Sequence, residues 1–486
     1  MPLIPFGEYR PDVSDYQGTF TQVASNVLPR GDGYGPFPDF SVFSAALAGT
    51  CRGFFKAIKT DGTVAVFAAT STRVYLLNNS TLVWADVSLG GSAYTTLSTG
   101  DNWQFAQFGN FVLATQANVV LQVYDLTSSS AFANCAGSPP QARYVSVVGR
   151  FLVLSGLLSN PYRIQWSGLN ATTTWTSGTN QSDYQDLPDG GIVRGVAGGE
   201  QGIIFQDGSI RRMTYAPGSP TIFVIQRIAE DKGLYAPYSL IRSGDRIFFL
   251  SSQGFNGMQA GGLPETIGKE RVDRAFFADL DRGNLQLVIG ASDPRSSRVF
   301  WAYKSNSGTA GLFDKLLCYD WALNRFAAIT VSGEYIGSMS QPGMTLEGLD
   351  SLSGSIDAMT TSFDDYATSV TPEIAAFNSA HKLGFFRGSA LEATMETPEQ
   401  GTDGKRLFVR GGRPITDAST VYLSVSSREN VKDARTWSTE SLVNTQGFCP
   451  QRVSTRYARG RVRIPAGTSW NFAAGVEPDV TSAGMR

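Results

Sequence analysis

Apolar and polar positions between Pro188 and Met258 fall into short runs cut by tight turns. The runs are Gly191–Val196, Gly202–Phe205, Ile210–Tyr215 and Ile222–Ile228, with Gly198-Gly199 and Asp207-Gly208 between them. Such dipeptides favour the positive φ of hairpin turns, whose twist matches that of the flanking strands. The pattern predicts a four-stranded antiparallel meander, and Arg246–Ser251 and Gly254–Met258 open another. A meander of this kind buries its flat faces only against like neighbours, which is the construction of a β-propeller blade.

The same rhythm starts at Gly53 and returns at Trp103, Ala142, Gly191 and Ser239, a spacing of roughly 40–50 residues that suits blades. Lys269–Leu285 interrupts it with a helical pattern, in which Val272, Phe276, Phe277 and Leu280 share a face. It resumes at Leu287–Ala291, Arg298–Tyr303, Leu316–Trp321 and Arg325–Thr330. Tyr335–Met339 and Met344–Leu349 either complete that blade or begin a further one, so the pattern allows six or seven blades. Beyond about Thr371 longer alternating strands replace it: Ala390–Thr397, Arg406–Arg410, Thr420–Ser427, Val453–Ile464 and Ala473–Asp479. The expectation is an all-β chain: a propeller over 51–370, a β-sandwich over 371–486 that forms a ring or platform domain, and an extended arm over 1–50 packing on the sandwich. The arm is rich in Pro and Gly from Pro29 to Pro38, with a short helix expected near Ser41–Leu47.

Composition agrees with many turns and little exposed charge. Charged residues are 17% of the chain, against 52 Gly, 30 Phe and 18 Tyr, and the net charge is −2. A chain so close to neutral is no general nucleic-acid magnet, and low charge suits a subunit that hides surface in an assembly. Cys51, Cys135, Cys318 and Cys449 are far apart without a CxxC, and are expected as buried free thiols of a reducing compartment. The start, MPLIPFGEYRPDV, lacks the basic and apolar regions of a secretion signal, and no stretch approaches the ~20 apolar residues of a membrane span. A soluble protein is expected.

Candidate chemistry is sparse. His381 is the only histidine and is expected at a loop or strand edge, which leaves Ser-His-Asp and Cys-His catalysis and histidine-rich metal sites without material. Gly195–Gly199 has the glycines of a phosphate loop but no Lys-Ser/Thr, and reads as a turn. Asp183, Asp186 and Asp189 are the carboxylates a propeller glycosidase would require, without the SxDxGxxW box of sialidases. No cofactor, metal or catalytic residue is expected. Between Arg325 and Lys382 there is no Lys or Arg, while Glu334, Glu347, Asp350, Asp357, Asp364, Asp365 and Glu373 are present. This interval is either a solvated loop region or an acidic surface facing a polyanion that must not stick, in which case Glu347, Asp350, Asp357, Asp364 and Asp365 line a channel. Arg452, Arg456, Arg459, Arg461 and Arg463 form a basic stretch, and strand alternation puts Arg459, Arg461 and Arg463 on one face. That face is either solvated, a contact for an acidic partner (with Arg456 added), or a nonspecific DNA contact.

Several segments, taken in order, resemble one family. Ala142-Arg143-Tyr144-Val145 with Gly149-Arg150, Gln185 to Ile192 (QDLPDGGI), Phe205 to Ile210 (FQDGSI), Lys232-Gly233-Leu234, Tyr319-Asp320-Trp321 with Asn324-Arg325-Phe326, and Ile464 to Trp470 with Gly475-Val476-Glu477 are similar to motifs of bacteriophage tail hub proteins. These are also called head-completion, packaged-DNA-stabilisation or nozzle proteins of short-tailed phages. The likeness covers about residues 140–480; residues 1–140 match only in texture. It implies a structural virion protein; the lone histidine and the absent motifs separately predict no enzymatic activity. Such a protein forms a ring of itself, usually of six copies, below the portal–adaptor complex, and helps retain packaged DNA. Double-stranded DNA passes nonspecifically through the channel, and tail fibres, spikes or a needle dock outside. Assembly would take place in the bacterial host cytoplasm and the final location would be the virion tail. Alternatives from other classes are a glycan-binding or glycan-cleaving propeller, and a WD-type scaffold, although no Gly-His…Trp-Asp pairs recur.

Overall fold

The computed structural model describes residues 3–14, 16, 18–219, 221–340, 355, 372–401 and 405–483. Seven blades surround a central channel. Their innermost strands are Phe54–Ile58, Gln104–Phe108, Ala142–Val148, Val193–Ala197, Ile241–Ser243, Ile289–Ser292 and Tyr335–Ser340. Each blade is a meander running outward, as Val193–Ala197, Gly202–Gln206, Ser209–Tyr215 and Phe223–Glu230 do in the fourth. Apolar clusters fill the gaps between consecutive blades. Phe205 of blade four meets Phe249 of blade five at 4.9 Å between ring centroids, and Phe54 of blade one meets Phe377 of blade seven at 5.7 Å. This explains why second strands such as Val64–Ala69 and Phe151–Leu157 are buried at every residue: neighbouring blades cover both faces.

Blade seven is closed by the start of the chain. Its order is Tyr335–Ser340, Pro372–Phe377, Lys382–Ala390, Pro38–Ala46. The last pair is antiparallel, with Phe385 opposite Ser41 and Ala390 opposite Pro38. The helix expected at Ser41–Leu47 is therefore a strand. Phe43 packs edge-on against Phe385 and Phe40 against Phe386, and pairing with the open edge outweighs the weak local helical preference. Gly384 permits this closure, since a Cβ there would lie 2.2 Å from the Ser41 carbonyl oxygen.

The pairing also redraws the expected domain limits. Pro372–Phe377 and Lys382–Ala390 belong to the propeller rather than to the sandwich, so the division falls after Ala390 and not at 370. The arm is shared. Ile4–Pro5, Val27–Arg30 and Gly33–Pro36 join a sandwich sheet with Cys449–Thr455, Arg406–Thr416 and Ala473–Ala483, whereas Pro38–Ala46 belongs to blade seven. The second sandwich sheet continues blade six. Its outer strand Arg325–Gly333 pairs with Ala24–Ser25, followed by Ala393–Glu396, Tyr457–Ile464 and Tyr422–Arg428. Val462 and Ile464 from this sheet pack with Cys449, Ala473 and Val476 of the other, in a core that also takes in Phe300 and Leu316 of blade six.

The helical pattern at Lys269–Leu285 is a short helix, Asp273–Asp279, followed by a 3-10 segment, Arg282–Leu287. Asp12 of the arm accepts hydrogen bonds from the Arg274 and Ala275 amides at 2.8 Å, satisfying donors the helix start leaves free. All four cysteines are buried free thiols. No helix among the described residues is long and apolar enough to cross a membrane.

Candidate functional site at the mouth of the propeller channel

Glu347, Asp350, Asp357, Asp364 and Asp365 lie outside the described residues. The two ends of the cation-free interval are described and both are internal. Glu334 is buried against His381, and Glu373 is buried between Arg387 and Arg295.

The basic stretch has the predicted parity but not an open face. Arg459 is buried 2.6 Å from Glu396, which Arg461 also binds at 2.7 Å. The Arg461 guanidinium lies 3.7 Å from the Trp437 ring centre. Arg463 is held by Glu440 at 2.7 Å and Glu392 at 3.0 Å over the Tyr422 ring, and the hydrogen bonds to Glu440 raise its pKa above the usual arginine range. Arg456 sits in the bend between two strands, 3.8 Å from Glu429. Glu392, Glu396, Glu429 and Glu440 of the same chain thus stand beside the arginines nominated for an acidic partner. Parity was readable locally; the carboxylates arrive from other strands, out of reach of any local pattern.

Each of the three candidate glycosidase carboxylates is held by a neighbouring side chain. Asp186 is gripped by Arg163 at 2.7 and 2.9 Å on the outer strand of blade three, and Asp183 accepts a hydrogen bond from Ser177 at 2.6 Å. Asp189, in the turn entering blade four, binds both Arg211 and Arg227.

The concave polar site lies instead at one end of the central channel. The channel is a cavity of about 420 Å³ touched by residues from all seven blades. It opens into a mouth of about 560 Å³ lined by loops that enter blades two, four, five and six and by turns such as that at Asp207. Two ion pairs stand in the mouth: Arg143 beside Asp101 at 3.3 Å and Arg194 beside Asp207 at 2.6 Å. Asp207 also accepts the Ile192 amide at 3.0 Å, which fixes the entry to blade four. Burial pushes the Asp101 carboxyl above the usual carboxylate range, with Arg143 and Arg52 opposing. Tyr144 lies among all four charges. Burial raises its hydroxyl, Asp101 and Asp207 add to the effect, and Arg194 and Arg143 oppose it.

Hydrogen bonds across the axis brace this end. The Asn102 amide donates to the Tyr238 hydroxyl at 2.7 Å, Asn102 Nδ2 donates to the Gln286 carbonyl at 2.8 Å, and Arg52 Nε donates to Asn102 Oδ1 at 2.9 Å. Entries to blades one, two, five and six are thereby tied to one asparagine. Tyr144 packs edge-on against Tyr238 at 6.2 Å. Gly156 (φ +63°) leaves room for the Tyr144 ring, which a Cβ would meet at 2.8 Å.

His381, in blade seven, is not among the residues that line this mouth, and no cluster of three or more metal-ligating side chains exists among the described residues. Sequence reading missed the site because its members come from separate loops. Arg143 and Asp207 fall within segments noted for their resemblance or as a turn, without any signal that they converge.

No family model matches this chain, and no curated protein matches it. Among solved structures, the chain is similar to BamB from Moraxella catarrhalis at 11% identity, covering 74% of this chain and 95% of that one with a TM-score of 0.35. A chain of the mitotic checkpoint complex matches at 12% identity over 74% of this chain and 96% of that one, TM-score 0.38. The extracellular domain of a hybrid two-component system from B. thetaiotaomicron matches at 10% identity over 73% of this chain, TM-score 0.41; the match spans only 40% of that structure's length.

Proposed function

We propose that this chain is a structural subunit of a bacteriophage tail hub. It forms a closed ring of six copies beneath the portal–adaptor complex, helps retain packaged DNA, contributes to the exit channel, and presents propeller surface to fibres or spikes. The resemblance of ordered segments from Ala142 to Glu477 is the origin of this reading.

The observation that carries it is mechanical. The first and last described strands, Ile4–Pro5 and Ala473–Ala483, pair in one sandwich sheet, and the other sheet is hydrogen-bonded without a break to blade six. Propeller and platform share a core. A subunit that bears load between a DNA-filled head and a docked fibre needs such a joint rather than a linker, because relative motion is the default where domains meet only through a small polar interface. Identical subunits joined by a heterologous contact form a ring when the rotation between them closes, and a filament otherwise. The reading is tested by the mass and symmetry of the assembled particle, and an isolated monomer at every concentration counts against it.

A further inference from the structure

We infer that the channel mouth is a binding site for a short neutral saccharide, one to three sugar units long. Its volume of about 560 Å³ falls within the roughly 300–1,000 Å³ of pockets that hold small ligands. The lining is charged but balanced: Arg143 and Arg194 against Asp101 and Asp207. Arg143 and Arg194 are 34% and 37% exposed and Asp207 42% exposed, so each pair keeps donors or acceptors open to the cavity.

That balance selects the ligand. An anion attracted by either guanidinium meets a carboxylate already beside it, and a cation meets the reverse. A sugar hydroxyl both donates and accepts. It can donate to an Asp101 or Asp207 oxygen while accepting from the neighbouring guanidinium, so neither ion pair has to open. Charge-assisted hydrogen bonds of this kind are the stronger class. The Tyr144 hydroxyl has no hydrogen-bond partner among the described residues and lines both mouth and channel. It offers one further donor at the base of the site, while the Tyr235 ring in the wall can cover an apolar sugar face. The bracing of Asn102 by Tyr238, Gln286 and Arg52 holds the floor in place without a ligand, which lowers the ordering cost of binding. The site does not depend on the ring assembly proposed above.

The test is saturation-transfer NMR on the full chain with glucose, galactose, mannose, rhamnose and N-acetylglucosamine, each at millimolar concentration, and with inorganic phosphate as competitor. The expected result is transfer to at least one sugar, undiminished by phosphate. It should weaken about tenfold in Asp207→Asn and in Arg143→Ala, and severalfold in Tyr144→Phe. Tyr144→Phe removes one oxygen and keeps the ring, so it remains informative if the charge variants misfold. Absence of transfer to all five sugars, transfer unchanged in Tyr144→Phe and in the folded charge variants, or displacement by phosphate would overturn the inference.

Discussion

His381 Nδ1 stands 2.5 Å from Glu334 Oε1, and the other oxygen of that carboxylate accepts the Cys51 amide at 2.8 Å. The His381 carbonyl in turn accepts the Leu47 amide at 2.9 Å. The only histidine therefore pins both sides of the seam at which the chain leaves the closing strand of blade seven and enters blade one. The Glu334 side chain is 1% exposed. Burial raises its pKa above the ordinary carboxylate value, against the opposing Cys51 amide and His381.

A buried carboxylate stripped of one partner is costly only while it is charged. His381→Ala is expected to lower stability at pH 7 by about 1–3 kcal/mol. The deficit should shrink as pH falls through the raised Glu334 pKa, because the protonated acid no longer needs the imidazole. Denaturant unfolding of both proteins from pH 4 to pH 8 measures this; a constant deficit across that range would show that the pair is not the seam's support.

Asp273 supplies a second pH dependence of known sign. Burial, with Asp12 nearby, pushes its carboxyl up to about 6, while the Phe255 amide opposes. Its folded pKa lies above the unfolded value of 3.8. Its contribution is therefore fully present below the unfolded value and is lost as pH rises through about 6. Asp273→Asn retains an acceptor for the amide and should be more stable than the parent above that pH, with the advantage disappearing toward pH 4. Thermal melts over the same window check it.

Glu396 is the hinge of the buried charge in the sandwich, 2% exposed and shared by Arg459 and Arg461. Glu396→Ala removes a buried carboxylate shared by two guanidiniums and should cost about 3–5 kcal/mol. Arg461→Ala removes a more exposed partner and should cost about 1 kcal/mol or less. Equal losses in urea titrations of the two variants would mean that Arg459 is not the buried member.

Closure of blade seven has its own probe. Gly384→Ala places a methyl against the Ser41 carbonyl, and overpacking of this kind costs on the order of 1–3 kcal/mol. Hydrogen exchange should show faster opening in Pro38–Ala46 and Lys382–Ala390 while blades three to five keep their protection. Uniform loss of protection would place the closure inside the global unfolding unit.

The blades were legible because a meander is local: Val193–Ala197 through Phe223–Glu230 needs only alternation and the Gly198-Gly199 and Asp207-Gly208 turns to be drawn. Of the seventh blade only the inner strand, Tyr335–Ser340, was legible, since Pro38–Ala46 finds its partner at Lys382–Ala390, and nothing in the nine residues of that strand encodes so distant an edge. The strand at Asp183–Asp186, which completes blade three, was also missed, because its alternation of polar residues carries no apolar face. For the arginines, period two gave the shared face of Arg459, Arg461 and Arg463, but not Glu392, Glu396 and Glu440, which reach it from other segments. The mouth of the channel was wholly non-local, built where loops from separate blades meet.

The proposed tail-hub function requires that subunits of this chain close into a ring. Light scattering on the purified full-length protein over a wide concentration range, with symmetry counted in negatively stained micrographs, tests it most directly. The expected result is a discrete particle of six copies with a visible central opening. A single species of 52.3 kDa at every concentration, with no rings in the micrographs, would contradict it.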